Sequence, residues 1–222
     1  MKTGLLLVAL SLVLAGCVNF AEKPNTPAMV YYVLQDASLK DAAPLRDKAQ
    51  GESYALKDSD PLRAKARVES YARTLLVLDT TTDGFYDSDQ LVFSRSAGTR
   101  GQYQFARWTE RPGKRFADLM RERLDRQGAW RVSAAGGYVR GDVLLDTELV
   151  EFYHDASSEP GQMRLVLRAE LVDLKQRKLL GRRVFEQSAP LATFDAAGAA
   201  QASSQVVGYV LDDLSAWLAN IR

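Results

Sequence analysis

One stretch of the chain, from Met163 to Ser188, constrains the fold more than any other. In its first half every second residue is apolar, so one side of a strand would carry Leu165, Leu167, Ala169 and Leu171. Such alternation is typical of a half-buried β-strand. Four polar residues, 175–178, come next, and Leu179 to Ser188 is again β-prone. The pattern predicts a β-hairpin, and therefore a sheet with one buried face.

Two segments with helical periodicity provide the second layer. The first runs from Arg111 to Gln127, where Pro112 suits a first helical turn and Gly128 a helix end. Its apolar stripe consists of Phe116, Leu119, Met120 and Leu124. The second follows Asp195, a residue type that caps helix N-termini. Its apolar positions are Val207, Val210, Leu211, Leu214, Leu218 and Ile221.

Shorter runs complete the predicted sheet. Strands are expected within residues 30–34, 73–79, 102–109, 129–133 and 138–154, and a strand or short helix within 90–94. Thr80 to Asp83 is interpreted as a turn. Residues 36–70 are rich in charge and alanine, and we expect a long surface excursion with a helical turn near 61–71. Together, the predicted strands and helices indicate an α+β fold, in which a mostly antiparallel sheet has two main helices packed on one face.

The N-terminus has the features of a bacterial lipoprotein signal. Lys2 supplies a positive charge, and residues 5–14 form an apolar run that is shorter than the roughly 20 residues of a membrane span. The residues that follow match the lipobox, in which the cysteine is acylated: Leu14, Ala15, Gly16 and Cys17. We therefore predict removal of residues 1–16 and lipidation of Cys17. The alternative is a core cysteine on a short buried helix.

The region after the signal predicts a tether and then one domain. Residues 17–29 are interpreted as the lipidated N-terminus and a polar tether, whose last twelve residues can extend about 40 Å. Residues 30–222 are expected to form a single α+β domain. Val18 stands where an aspartate would favour retention in the inner membrane. We therefore expect the periplasmic face of the outer membrane.

The composition argues against several kinds of site. Lys and Arg total 29 against 28 Asp and Glu, so nothing favours nucleic acid as a partner. Cys17 is the only cysteine and His154 the only histidine, and we expect His154 to be solvated at a strand end. Asp83, Asp87 and Asp89 lack the spacing of a calcium loop and suggest a capped turn. The sequence predicts no metal, no cofactor and no catalytic residue.

Two groups of side chains allow alternative interpretations. Arg177, Lys178, Arg182 and Arg183 form either a solvated hairpin tip or a contact to anionic headgroups or an acidic partner. Five aromatic residues lie in or beside predicted strands: Tyr31, Tyr32, Tyr86, Tyr103 and Trp108. Core packing is their default role, and a lipid or protein contact surface is the alternative.

Four stretches together point to a family. They are 31–34 soon after the lipobox, 85–95 (FYDSDQLVFSR), 103–112 leading into the amphipathic helix, and the strand pair 163–190 followed by a helix that ends at 216–218. In this order they resemble the ABC-type transport auxiliary lipoproteins, which include the lipoprotein of paraquat-inducible PqiABC-type systems. The resemblance spans roughly Val30 to Leu218. It implies a fold similar to the N-terminal domain of TolB.

The resemblance also implies a role. Such lipoproteins accompany an ABC ATPase, a permease and a membrane-anchored MCE-domain protein that together move phospholipid or sterol-like lipids. The candidate partner-binding residues in these stretches are Tyr86, Arg95, Trp108 and Arg111. Association into a homo-oligomer is left open. Two alternatives remain, namely an envelope assembly or secretion lipoprotein and a periplasmic hydrolase with a buried polar cleft.

Overall fold

The computed structural model describes residues 27–40 and 73–221. The signal, the lipobox and most of the polar excursion lie outside these ranges. Within them the chain forms, in order, β1 (Val30–Tyr32), α1 (Ala37–Lys40), β2 (Thr74–Val77), β3 (Thr81–Thr82), β4 (Gln90–Ser94), β5 (Gly101–Trp108), α2 (Pro112–Gln127), β6 (Arg131–Ala134), β7 (Val143–Asp155), β8 (Gln162–Asp173), β9 (Lys178–Pro190) and α3 (Ala196–Ala219).

These strands belong to one mixed sheet. The main path is β1-β5-β4-β7-β2-β6, while β3 and β8 also pair with β7, and β9 pairs with β8. The three longest strands, β7, β8 and β9, are antiparallel and contribute most of the paired residues. Short strands β2, β3 and β4 run parallel to β7, as β1 does to β5. The α+β prediction with a mostly antiparallel sheet is confirmed.

The predicted hairpin sets the two faces of the sheet. In β8 every second residue from Met163 to Asp173 is buried, as the alternation requires. Between them, Arg164, Arg168 and Glu170 lie on the opposite face and form cross-strand ion pairs. Arg164 bonds to Glu151 at 2.7 Å, and Arg182 bonds to Glu170 at 2.8 Å. One face is therefore apolar under the helices, and the other is a ladder of charges.

The two main helices begin and end where the sequence predicts. Gly128 ends α2 with a φ of 68°, and its N–H bonds to the carbonyl oxygen of Asp125. The Asp195 carboxylate caps α3 by accepting the Gly198 N–H at 2.8 Å. Both apolar stripes are buried against the sheet, with Leu119 and Leu211 at most 3% exposed. None of the described helices is long and apolar enough to cross a membrane.

Two local expectations need correction. The first strand stops at Tyr32, because the chain turns into α1 soon afterwards. Thr80 to Asp83 is not a simple turn, since Thr81 and Thr82 form β3 beside β7. The long strand predicted within residues 138–154 is confirmed as β7, which starts at Val143.

Candidate docking site beside the first strand

The first described segment, residues 29–33, is unusually apolar for an exposed position. It enters the domain as β1, which lies at one edge of the sheet and pairs with β5 alone among the described strands. Four of its side chains are exposed: Met29 (40%), Val30 (46%), Tyr31 (62%) and Val33 (50%). Exposed apolar side chains that follow one another in this way are a candidate interaction surface.

A groove of about 470 Å³ lies next to this strand. It separates the β1–α1 segment from the first half of α3. Its lining is apolar or neutral polar, and the lining residues are Tyr32, Val33, Gln35, Ala37, Ala197, Ala200, Gln201, Ser204 and Gln205. The N–H of Gln35 donates to the Ser204 hydroxyl at 3.3 Å across the groove floor. An uncharged partner, such as an extended peptide, fits this chemistry.

A buried ion pair fixes the wall of the groove. Arg123 of α2 holds Asp36 with two hydrogen bonds, of 2.6 and 2.8 Å, and also bonds to Asp212 of α3. The Asp36 side chain is 1% exposed and that of Arg123 is 7% exposed. Burial alone would lower the pKa of Arg123, but the hydrogen bonds and charges of the two carboxylates raise it. The start of α1 is thus tied to both main helices.

Two of the four candidate partner-binding residues lie in the core. Tyr86 is 8% exposed and its hydroxyl accepts a hydrogen bond from Nε of Arg100 at 2.8 Å. Trp108 is 3% exposed and stacks on Phe152, with ring centroids 5.9 Å apart. The structure corrects the prediction here, because neither buried side chain can be presented to a partner. The sequence stretches that contain Tyr86 and Trp108 place these two side chains in the packing of the sheet.

The other two candidates are exposed but do not share one surface. Arg95 follows β4 and lies over the Phe93 ring at 5.3 Å, whereas Arg111 precedes α2 and pairs with Asp87 at 3.2 Å. The β4–β5 register pairs Gln90 with Arg107 and Phe93 with Gly101, so the two arginines flank opposite ends of this strand pair. Partner binding by Arg95 and Arg111 stays a prediction.

The single histidine is buried, contrary to expectation. His154 is 1% exposed because Tyr103, Phe194 and the turn after β7 enclose it. Its Nε2 lies 3.1 Å from the Pro160 carbonyl oxygen, which can only accept, so Nε2 carries the proton. Nδ1 then accepts the Tyr103 hydroxyl at 2.8 Å. Tyr103 lies 51 residues away in sequence, so the residues around His154 could not predict this pair.

This environment predicts a pH dependence of stability. Burial lowers the pKa of His154 below its ordinary value, and the bond to Pro160 offsets only part of that effect. The unfolded chain therefore binds a proton first as the pH falls. His154 therefore contributes its full share to the free energy of unfolding above about pH 6.5, and this share is lost as the pH drops toward the lowered pKa.

We expect wild-type protein to lose more stability between pH 7.5 and 5 than a His154→Gln variant, measured by urea unfolding. The carboxylates of Asp155 and Asp195 do not produce the same loss of stability. Their pKa values are lowered, so they take up protons only in more acidic solution. As the chain has one histidine, its NMR titration is unambiguous. A midpoint at or above 6.5 would contradict the prediction.

A one-sided mixed sheet with two covering helices and a neutral groove beside its first strand defines a small α+β domain. The family model described as "ABC-type transport auxiliary lipoprotein component" matches residues 54–215, and the chain belongs to this family. The resemblance found in the sequence is thereby confirmed. A comparison with curated proteins gives no match.

Two solved structures share the fold. One, from Xanthomonas campestris and assigned to the family DUF330, is 20% identical, has a TM-score of 0.63, and the match covers 68% of this chain and 86% of that one. Another, described as an uncharacterized protein, is 13% identical with a TM-score of 0.57, covering 67% and 93% of the two chains. At these identities the likeness concerns the fold alone.

Proposed function

We propose that this protein is a lipid-anchored, non-catalytic partner of an ABC transport system that contains an MCE-domain protein and moves phospholipid or sterol-like lipids between membranes. The observation that carries the proposal is the family match over residues 54–215, which names an auxiliary lipoprotein of ABC transport. In this view the domain stands at the periplasmic face of the outer membrane and engages the MCE-domain protein, with the permease and ATPase in the same assembly.

The geometry supports a binding role. An apolar edge strand and an uncharged groove lie together where the tether from Cys17 joins the domain. Tethering raises the local concentration of the domain near a membrane-bound partner, so a modest contact is enough. His154 engages both ring nitrogens in the interior and has neither available to act as a base. We therefore place partner docking at Tyr31, Val33 and the groove.

Lipidation is the first test. Wild-type protein should be cut before Cys17, and intact-mass analysis should show an acylated cysteine. A Cys17→Ser variant should lose the acyl mass and keep its signal. Fractionation should then place the wild type with outer membranes, since Val18 is not an aspartate. An unmodified Cys17 in the wild type would contradict the predicted lipid anchor. An inner-membrane location would contradict only the predicted delivery to the outer membrane.

Docking is tested by co-purification. A Val33→Asp variant should reduce recovery of the MCE-domain protein several-fold, because a carboxylate would face an apolar contact. Val139→Asp is a matched control, since Val139 has a similar exposure, 49% against 50%, and lies in the loop before β7. Both variants should keep the wild-type melting temperature. Recovery of secretion-complex components instead would favour the assembly alternative, and turnover of an envelope substrate would overturn the binding role.

A further inference from the structure

The last strand, β9, has a long edge that no described strand covers. It has 13 residues, Lys178–Pro190, roughly twice the usual length of about 5–6. One edge pairs with β8, and no other strand in residues 27–40 and 73–221 pairs with it. Backbone N–H and C=O groups on such an edge are a template for another strand. A second strand paired with this edge would form hydrogen bonds with these backbone groups.

The two faces of β9 differ in what they can contribute. Toward α3, Phe185 is 3% exposed and packs edge-on against Trp217. On the open face, Val184 is 54% exposed, and the side chains of Arg182 and Glu186 are each 59% exposed. An apolar side chain at the middle of the strand is therefore flanked by a cation and an anion.

This order of charges is self-complementary in an antiparallel pair. Val184 is the midpoint of β9, and a two-fold axis there sets each Val184 against its own copy. Arg182 then lies opposite Glu186 of the second copy, and the same pair forms again across the axis. Moving the axis by one residue to 183 would oppose two arginines, at Arg183. The charge pattern thus selects the axis at Val184 over that neighbouring one.

We propose that the protein forms a symmetric dimer in which β9 pairs antiparallel with β9 of a second copy about Val184. Arg182 already bonds to Glu170 at 2.8 Å and Glu186 to Arg164 at 2.5 Å, so pairing joins two charge ladders into one. Opposite charges and apolar pairs across strands both stabilise a sheet. Regular pairing is limited to residues 181–187, because the β8–β9 register shifts between Leu171 and Val172.

Cross-linking tests the register. In detergent-purified protein, mild oxidation of a Val184→Cys variant should give a disulfide-linked dimer, since directly opposed residues have Cα atoms about 4.5–5.5 Å apart, within disulfide range. Val139→Cys, which has a similar exposure, should stay monomeric on reducing-agent-free gels. Wild-type protein controls for Cys17. Equal cross-linking at both positions, or none at Val184, would overturn the register.

Mass measurement tests the dimer itself. Light scattering of wild-type protein should give twice the mass of one lipoprotein chain after subtraction of detergent. Val184→Lys should abolish the dimer, because two lysines would face each other, and Val139→Lys should not. Unchanged circular dichroism separates lost pairing from lost folding. A monomeric wild type, or a dimer that survives Val184→Lys, would refute the proposal and leave the transport role intact.

Discussion

Replacing Arg123 with methionine should lower the free energy of unfolding by about 3–5 kcal/mol, the cost of breaking a buried ion pair from one side. The variant leaves the Asp36 carboxylate, 1% exposed, without its two hydrogen bonds from the guanidinium. Asp212 suffers less because its side chain is 54% exposed. Urea unfolding at pH 7 measures the loss.

Two further variants show whether the buried charge is the cause. Arg123→Met combined with Asp36→Leu should recover a large part of the stability, since both charges are then removed. Arg126→Met, on the same helix, breaks a surface pair with Glu122 and should cost less than about 1 kcal/mol. A loss below about 1 kcal/mol for Arg123→Met alone would show that water reaches Asp36 in solution.

Leu211→Ala should cost about 2–5 kcal/mol, because it removes a side chain that is 1% exposed and leaves a cavity between α3 and the sheet. Leu119→Ala, on α2, should have a similar effect. Tyr209→Ala on the same helix is the control, since Tyr209 is 46% exposed and its loss should change stability by no more than about 0.5 kcal/mol. Equal effects of Leu211→Ala and Tyr209→Ala would contradict the packing of α3.

The regular elements were predictable because their signals are local. The alternation in 163–174 identifies a half-buried strand, and the stripes around Leu119 and Leu211 identify two amphipathic helices. The direction of the short strands was not predictable, since side chains alternate with the same period in parallel and antiparallel strands. The parallel pairing of β2, β3 and β4 with β7 therefore emerged only from the structure.

The candidate site depends on contacts between distant residues. Gln35 and Ser204 meet across the groove although 169 residues separate them, and Asp36 meets Arg123 across 87 residues. Single residues such as Tyr86 gave no indication of burial, because an aromatic side chain suits a core and an interface equally well. Tyr31, by contrast, is 62% exposed, so a contact surface stays a prediction for that aromatic residue.

In the lipid-anchored arrangement proposed above, the ion pair at Asp36 would also determine how the domain bears a load from the membrane. A pull from Cys17 reaches the sheet first at β1, an edge strand of three residues, and next at Asp36. If β1 detaches, residues 30–36 add about 24 Å to a tether of about 40 Å before the ion pair takes the force. Under that proposal, the protein would follow a partner that moves away from the membrane while its sheet and helices stay folded.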